Sequence, residues 1–145
     1  MLRAYTAADQ DTVIKIWLDA SLQAHSFVDE KFWKSKEEEM RTVYLPQSEV
    51  WVYDSDLTGE VLGFVALKEN YIAALFVTPE EQGNGVGYQL MEKVKMKHPV
   101  VELKVYKENK PSVKFYERQG FEVVGEGVEA ETGHAELTMR FRRLA

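Results

Sequence analysis

The run Tyr71-Ile72-Ala73-Ala74-Leu75-Phe76-Val77 is continuously apolar or aromatic and stops at Thr78-Pro79-Glu80-Glu81. A loop with three glycines, Gln82-Gly83-Asn84-Gly85-Val86-Gly87-Tyr88, follows directly, and a helical pattern over 88–97 begins where the glycines end. A strand that feeds a Gly-rich loop opening a helix has a definite physical use. The first N–H groups of a helix lack intrahelical partners and carry partial positive charge, so they can hold a phosphate. Glycine lets the backbone approach the anion and adopt conformations that a Cβ forbids. Two phosphate-loop spacings fail here: no Lys-Ser or Lys-Thr follows the glycines, and position 88, where a dinucleotide fingerprint needs Gly, is Tyr. The spacing Q/R-x-x-G-x-G/A fits, read as Gln82, Gly85 and Gly87. A plain strand-to-helix turn remains open at this point.

At 145 residues the chain is read as one domain, 1–145, long enough to bury a core. Hydrophobic residues are 45% and charged residues 29%, which excludes disorder. The absence of Cys excludes disulfides and thiolate catalysis. Three scattered histidines without ligand spacing lead us to expect no metal. The N-terminal segment lacks a signal-peptide core, and no apolar run approaches the ~20 residues of a membrane span. The expectations are therefore no membrane and a cytoplasmic address. A net charge of −6 argues against nucleic acid as a partner and suits a cationic one.

Periodicity and turn chemistry predict a strand at 2–5, a capping box at 6–9, and helices over 9–22 and 30–44, with Leu45-Pro46 ending the second. Asp29 is the expected N-cap of that second helix. Strands follow at 49–53 and 61–68, then the central strand, the 88–97 helix and a strand at 100–106. A short helix over 112–119 capped by Gly120 and strands at 121–124 and 136–141 complete the chain. This order predicts a mixed α/β (α+β) fold with one principal sheet.

A second motif lies in Asn109-Lys110-Pro111-Ser112-Val113-Lys114-Phe115-Tyr116-Glu117-Arg118-Gln119-Gly120-Phe121. Together with the glycine loop it resembles the GCN5-related N-acetyltransferases, and the resemblance covers nearly the whole chain. Trp17, His25, Phe27, Trp33, Trp51-Val52-Tyr53 and Gly63-Phe64 are similar to a small bacterial branch that includes peptidyl-lysine acetyltransferases. The resemblance implies a GNAT-type acyl-CoA N-acyltransferase fold, a mixed sheet flanked by about four helices. In it the central strand and the 100–106 strand are parallel neighbours that splay apart, with acetyl-CoA as cosubstrate in the gap. It further implies that backbone groups of Leu75, Phe76 and Val77 pair with the pantetheine arm. The N–H groups of Gly83, Asn84, Gly85, Val86, Gly87 and Tyr88 would take the pyrophosphate. Asn109 would bond the pantetheine and Phe115 would pack on it. Where many relatives carry a cation this chain has Asn84, for which Lys107, Lys110 and Lys114 could compensate.

Acetyl transfer to an amine needs a neutral amine, donors aimed at the developing oxyanion and a proton for the departing thiolate. The resemblance places the oxyanion donor near Phe76 and makes Tyr116 the general acid. Without the motif, Tyr116 reads as a core tyrosine. The base is open. His25 has the right intrinsic pKa, Glu69 and Glu30 are nearby carboxylates in the chain, and relayed water is an equal alternative. Phe27 and Tyr71 are candidates for the acceptor pocket. The reading is an acetyl-CoA-dependent N-acetyltransferase whose amine acceptor is a protein lysine or N-terminus. A small-molecule amine (polyamine, amino acid or antibiotic) is the alternative, and a catalytically idle acyl-CoA-binding module or an interaction protein the others. Monomer and homodimer are both allowed.

Overall fold

The structure is a computed structural model and describes residues 1–143. Seven strands form one sheet in the order β1-β2-β3-β4-β5-β7-β6. They are β1 (Leu2–Ala4), β2 (Glu49–Asp54), β3 (Val61–Lys68), β4 (Tyr71–Val77), β5 (Val100–Tyr106), β6 (Glu122–Val128) and β7 (Ala135–Arg142). All neighbours are antiparallel except β4 and β5. The principal helices are α1 (Gln10–Ala24), α2 (Glu30–Ser35), α5 (Val86–Lys97) and α6 (Lys110–Arg118), with short turns α3 (Glu37–Glu39) and α4 (Leu45–Gln47).

The sheet is the middle layer. On one face α1 and α2 bury Val13, Ile14, Trp17 and Trp33 against Val52, Phe64 and Ala74. On the other, Leu90, Met91 and Val94 of α5 meet Val65, Val101, Leu103 and Met139, and Tyr116 of α6 joins them. Each such side chain taken fully out of water contributes roughly 2 kcal/mol, which is why the helices stay on the sheet.

Three expected boundaries move. The helix expected over 30–44 is instead α2, α3, a π-helical stretch Met40–Tyr44 and α4, so Pro46 does not end it. Pro46 falls in the first turn of α4, directly after helical residues, and donates no backbone hydrogen bond there. Its ring would still crowd the carbonyl of Thr42 in a regular turn. The wider π turn, closed by Leu45 N–H onto Met40 O, relieves that. α6 starts earlier than expected, at Lys110, and β6 runs on to Val128. The capping box forms as read, Asp9 accepting the Thr6 amide at 2.9 Å, while the guanidinium of Arg3 grips Asp9 at 2.8 and 2.9 Å.

Two irregularities of β4 position everything else. Its parallel pairing with β5 consists of two registered pairs, Tyr71↔Glu102 and Ile72↔Leu103, after which the strands part. Against β3 the register jumps from Leu67↔Ile72 to Ala66↔Ala74, leaving Ala73 as a bulge. A strand alternates with period two, so one extra residue reverses every direction beyond it. Ile72 therefore packs on the α5 side, whereas Ala74 and Phe76 pack on the α1 side.

Candidate active site

The parting of β4 and β5 opens a cleft of about 1090 Å³ that runs from the glycine loop and α6, between the strands, to α1, α2 and the β6–β7 loop. The bulge decides which backbone groups of β4 line it. Asn70 O still accepts from Glu102 N–H of β5, but beyond Ala73 it is Thr78 N–H that bonds Leu62 O in line with β3. Antiparallel pairs alternate between bonded and unbonded, so the Phe76 and Ala74 amides are spent on β3. The Leu75 and Val77 backbone groups face the gap. The Val77 carbonyl already accepts from the Gln82 side chain at 3.2 Å, which ties the first residue of the loop motif to the strand. Where an amide facing the gap was expected near Phe76, the free ones are those of its neighbours Leu75 and Val77, because the bulge reverses the parity.

At the head of α5, Gly85 is the N-cap with φ 87°, and Gly83 has φ 86°, values open to glycine and strained for other residues. No side chain caps α5. The first ladder bond is Gln89 N–H to Gly85 O, so among the described residues Gly83, Gly85, Val86, Gly87 and Tyr88 carry amides without a protein acceptor. The expected Asn84 amide is not in this set, since it donates to Glu81 O at 3.3 Å. Its side chain is also engaged, with Glu81 at 3.1 Å. Gly87 lies against the Phe115 ring, which a Cβ there would meet at 3.4 Å, an ordinary contact distance. Of the lysines considered as compensation, Lys107 is paired with Glu126 at 3.2 Å.

Asn109 is buried and caps α6, its Oδ1 accepting the Ser112 amide at 3.4 Å. Its Nδ2 lies 3.2 Å from His25 Nε2. The amide can only donate there, so Nε2 accepts and Nδ1 carries the hydrogen. His25 stacks on Trp33 with ring centroids 5.0 Å apart and meets Tyr106 edge-on at 5.1 Å. Burial pushes its pKa down to about 4. His25 thus lines the cleft as a buried, neutral ring whose Nε2 lone pair is already occupied. Phe27 packs 5.4 Å from Tyr106 and 5.0 Å from His134.

Tyr116 is buried among Phe115 and Phe121 and lines the cleft. Burial raises its phenol well above the usual tyrosine range, so it stays protonated. Tyr71 also lines the cleft. Glu69 does not: it occupies the exposed turn before β4 with φ 57°, at the end of the strand away from the gap. Glu30 is likewise on the surface, paired with Lys34 at 2.7 Å. Three residues that carry no sequence signal of a site, Tyr106, Glu129 and Glu136, also line the cleft, from β5, the β6–β7 loop and β7. Alternation along β5 and β7 was visible in the sequence, but nothing local says which face meets the cleft.

Splayed parallel strands, a glycine-opened helix and a phenol between them are the arrangement that the two sequence motifs implied. A family profile described as an acetyltransferase (GNAT) domain matches residues 6–142. The chain belongs to the GNAT acetyltransferases. It is 34% identical over 125 residues to a peptidyl-lysine N-acetyltransferase of Escherichia coli, YiaC, covering 86% of this chain and 84% of that one. To the peptidyl-lysine N-acetyltransferase YjaB of Salmonella typhimurium it is 30% identical, covering 79% and 78%. The solution structure of apo YjaB from E. coli superposes with a TM-score of 0.86 at 25% identity over 99% of this chain and 98% of that one. This GNAT chain is accordingly an N-acetyltransferase, with the mixed α/β fold that the sequence predicted. Among the described residues no helix is long and apolar enough to cross a membrane.

Proposed function

We infer that this acetyltransferase moves the acetyl group of acetyl-CoA to a lysine side chain of a protein by direct attack of the amine. The observation that carries the reading is the continuity of one cleft. It joins a row of unpartnered amides at the head of α5 to an aromatic, carboxylate-bearing pocket under α1 and α2.

The residues fit the cosubstrate. The amides of Gly83, Gly85, Val86, Gly87 and Tyr88 would hold its pyrophosphate, with the α5 dipole behind them. Leu75 and Val77 would bond the pantetheine along the open edge of β4, Asn109 retains one further N–H for it, and Phe115 would pack on it. When bound, acetyl-CoA supplies the activated acetyl thioester. The Leu75 or Val77 N–H supplies the oxyanion donor. Tyr116 supplies a hydrogen bond to the departing sulfur, and its elevated pKa means that the proton passes only as the bond to sulfur breaks. Support for lysine comes from the acidic lining of the acceptor side, Glu129, Glu131 and Glu136, and from the names of the relatives. A small amine is the competing acceptor, and the surface beyond the cleft would then be irrelevant to turnover.

Calorimetry with acetyl-CoA, on wild type and Gly85→Glu, tests the donor half. We expect micromolar binding that the variant loses, because its side chain brings bulk and negative charge to the amide row; a melting curve confirms that the variant folds. Absence of binding to wild type would overturn the reading. Lysine peptides and spermidine, assayed side by side as acceptors, then separate the two acceptor classes.

A further inference from the structure

Five carboxylates line the cleft, and four of them are committed within the protein. Glu81 accepts from Asn84, Glu108 faces His134 at 3.3 Å, and Glu131 meets Lys36 at 2.5 Å. Glu129 accepts the Glu131 and Thr132 amides at 2.9 and 2.7 Å. Glu136 is the remaining one, and among the described residues it has no ion pair or hydrogen-bond partner.

Its position is fixed by the ladder. Glu136 is in register with Tyr106 of β5 on one side and Gly127 of β6 on the other. Directly paired residues project from the same face of a sheet, so Glu136 leaves beside Tyr106 toward α1 and α2. Gly127 adds no side chain to that row, which leaves the carboxylate flanked rather than covered. The groups around it are Tyr71 from β4, Lys104 and Tyr106 from β5, and Glu129 from the loop, with the neutral His25 across the cleft behind Tyr106. Burial and Glu129 raise its pKa, against the opposing pull of Lys104. A half-buried carboxylate with no internal partner is costly unless a cation meets it.

We propose that Glu136 receives the ammonium group of the acceptor and takes its proton, serving as the general base that the sequence left unassigned. This rests on the acetyl-transfer reading above. In the step, an N–H bond of the ammonium breaks and its electron pair stays on nitrogen while an O–H bond forms at Glu136. The freed pair makes the new C–N bond as the acyl carbon separates from sulfur. The second nitrogen proton ends on the thiol by way of Tyr116, and Glu136 returns its own proton to solvent. The net change is one acetamide, one thiol and one released proton.

The test is steady-state kinetics of Glu136→Gln with a lysine amide and with a fluorinated amine that is already neutral at pH 7. For the lysine amide, kcat/KM at neutral pH should fall about 100-fold. The deficit should shrink as pH climbs toward the amine pKa of ~10.4, where free amine no longer has to be made. The fluorinated amine should be nearly indifferent to the substitution, the acetyl-CoA Kd should stay within about twofold, and Glu136→Asp should recover part of the lysine-amide rate. Glu122→Gln, on the exposed edge strand, is the matched control. Removing a charge that burial disfavours should leave the melting temperature unchanged or higher, so the variant folds. A loss equal at every pH and for both amines would mark Glu136 as structural, and an unchanged rate would remove it altogether; either outcome overturns the proposal. If wild type binds acetyl-CoA but acetylates no amine, the acetyl-transfer reading fails first and this step with it.

Discussion

Where the cleft passes β4 and the head of α5, what it offers is main chain: the Leu75 and Val77 backbone edge and five loop amides, with glycine at the positions that must bend. Under α1 and α2 it offers side chains instead, contributed by segments far apart in sequence: His25 and Trp33, Tyr71, Tyr106, and Glu136. In the proposed reading the first half holds an anion by backbone geometry and should tolerate changes of residue type that keep the backbone path. The second half depends on side-chain identity and on burial, so it should be the half that pH and substitution disturb.

Acid should expose that difference most strongly. The folded protein holds His25 neutral, with a pKa near 4 against an ordinary 6.5. As pH falls below 6.5 the unfolded chain takes up the proton first, so this contribution to stability is intact above 6.5 and is lost progressively down to 4. The full loss is about 3 kcal/mol. Urea unfolding at pH 7 and at pH 4.5 should show a steeper decline for wild type than for His25→Leu, which lacks this titrating group and keeps all the others. Parallel declines would mean that the acceptor wall is not held by a neutral imidazole.

A smaller effect is expected from Tyr116→Phe, one of three side chains, with Asn109 and Phe115, at which the donor half departs from main-chain construction. Turnover should drop at least ~10-fold, about 1.4 kcal/mol in barrier, while acetyl-CoA affinity is retained. Equal turnover would return Tyr116 to the core. The smallest effect should come from Asn84→Ala, which deletes a loop side chain without touching the unpartnered amides. Its acetyl-CoA Kd should change less than about threefold, well under 1 kcal/mol. A larger loss would show that the donor half relies on side chains after all.

The same division explains what the sequence disclosed. The glycine loop, the Asn109 cap and the strand before the loop are local features, each legible from residue type and spacing within a dozen positions. The splay between β4 and β5 and the loop amides could therefore be expected before any coordinates, given the family resemblance. The bond between His25 and Asn109 spans 84 positions and leaves no local trace. Alternation alone could not assign Glu136 to the cleft face, since both faces of β7 are covered to some extent. The wide turn at Met40–Tyr44 was hidden by an unbroken helical pattern, and the bulge at Ala73 by a run of residues that all suit a strand.

That bulge makes the site depend on a count. Deleting any one residue between Ile72 and Leu75 would restore an uninterrupted ladder with β3 while leaving the composition of β4 almost untouched. The Phe76 amide would then turn to the gap, and the Leu75 and Val77 edge would be absorbed into the sheet. Substitution at Ala73, whose side chain is exposed, carries no such penalty. What this strand encodes for the reaction is its phase, the number of peptide units between two turns, more than the identity of the side chains it bears.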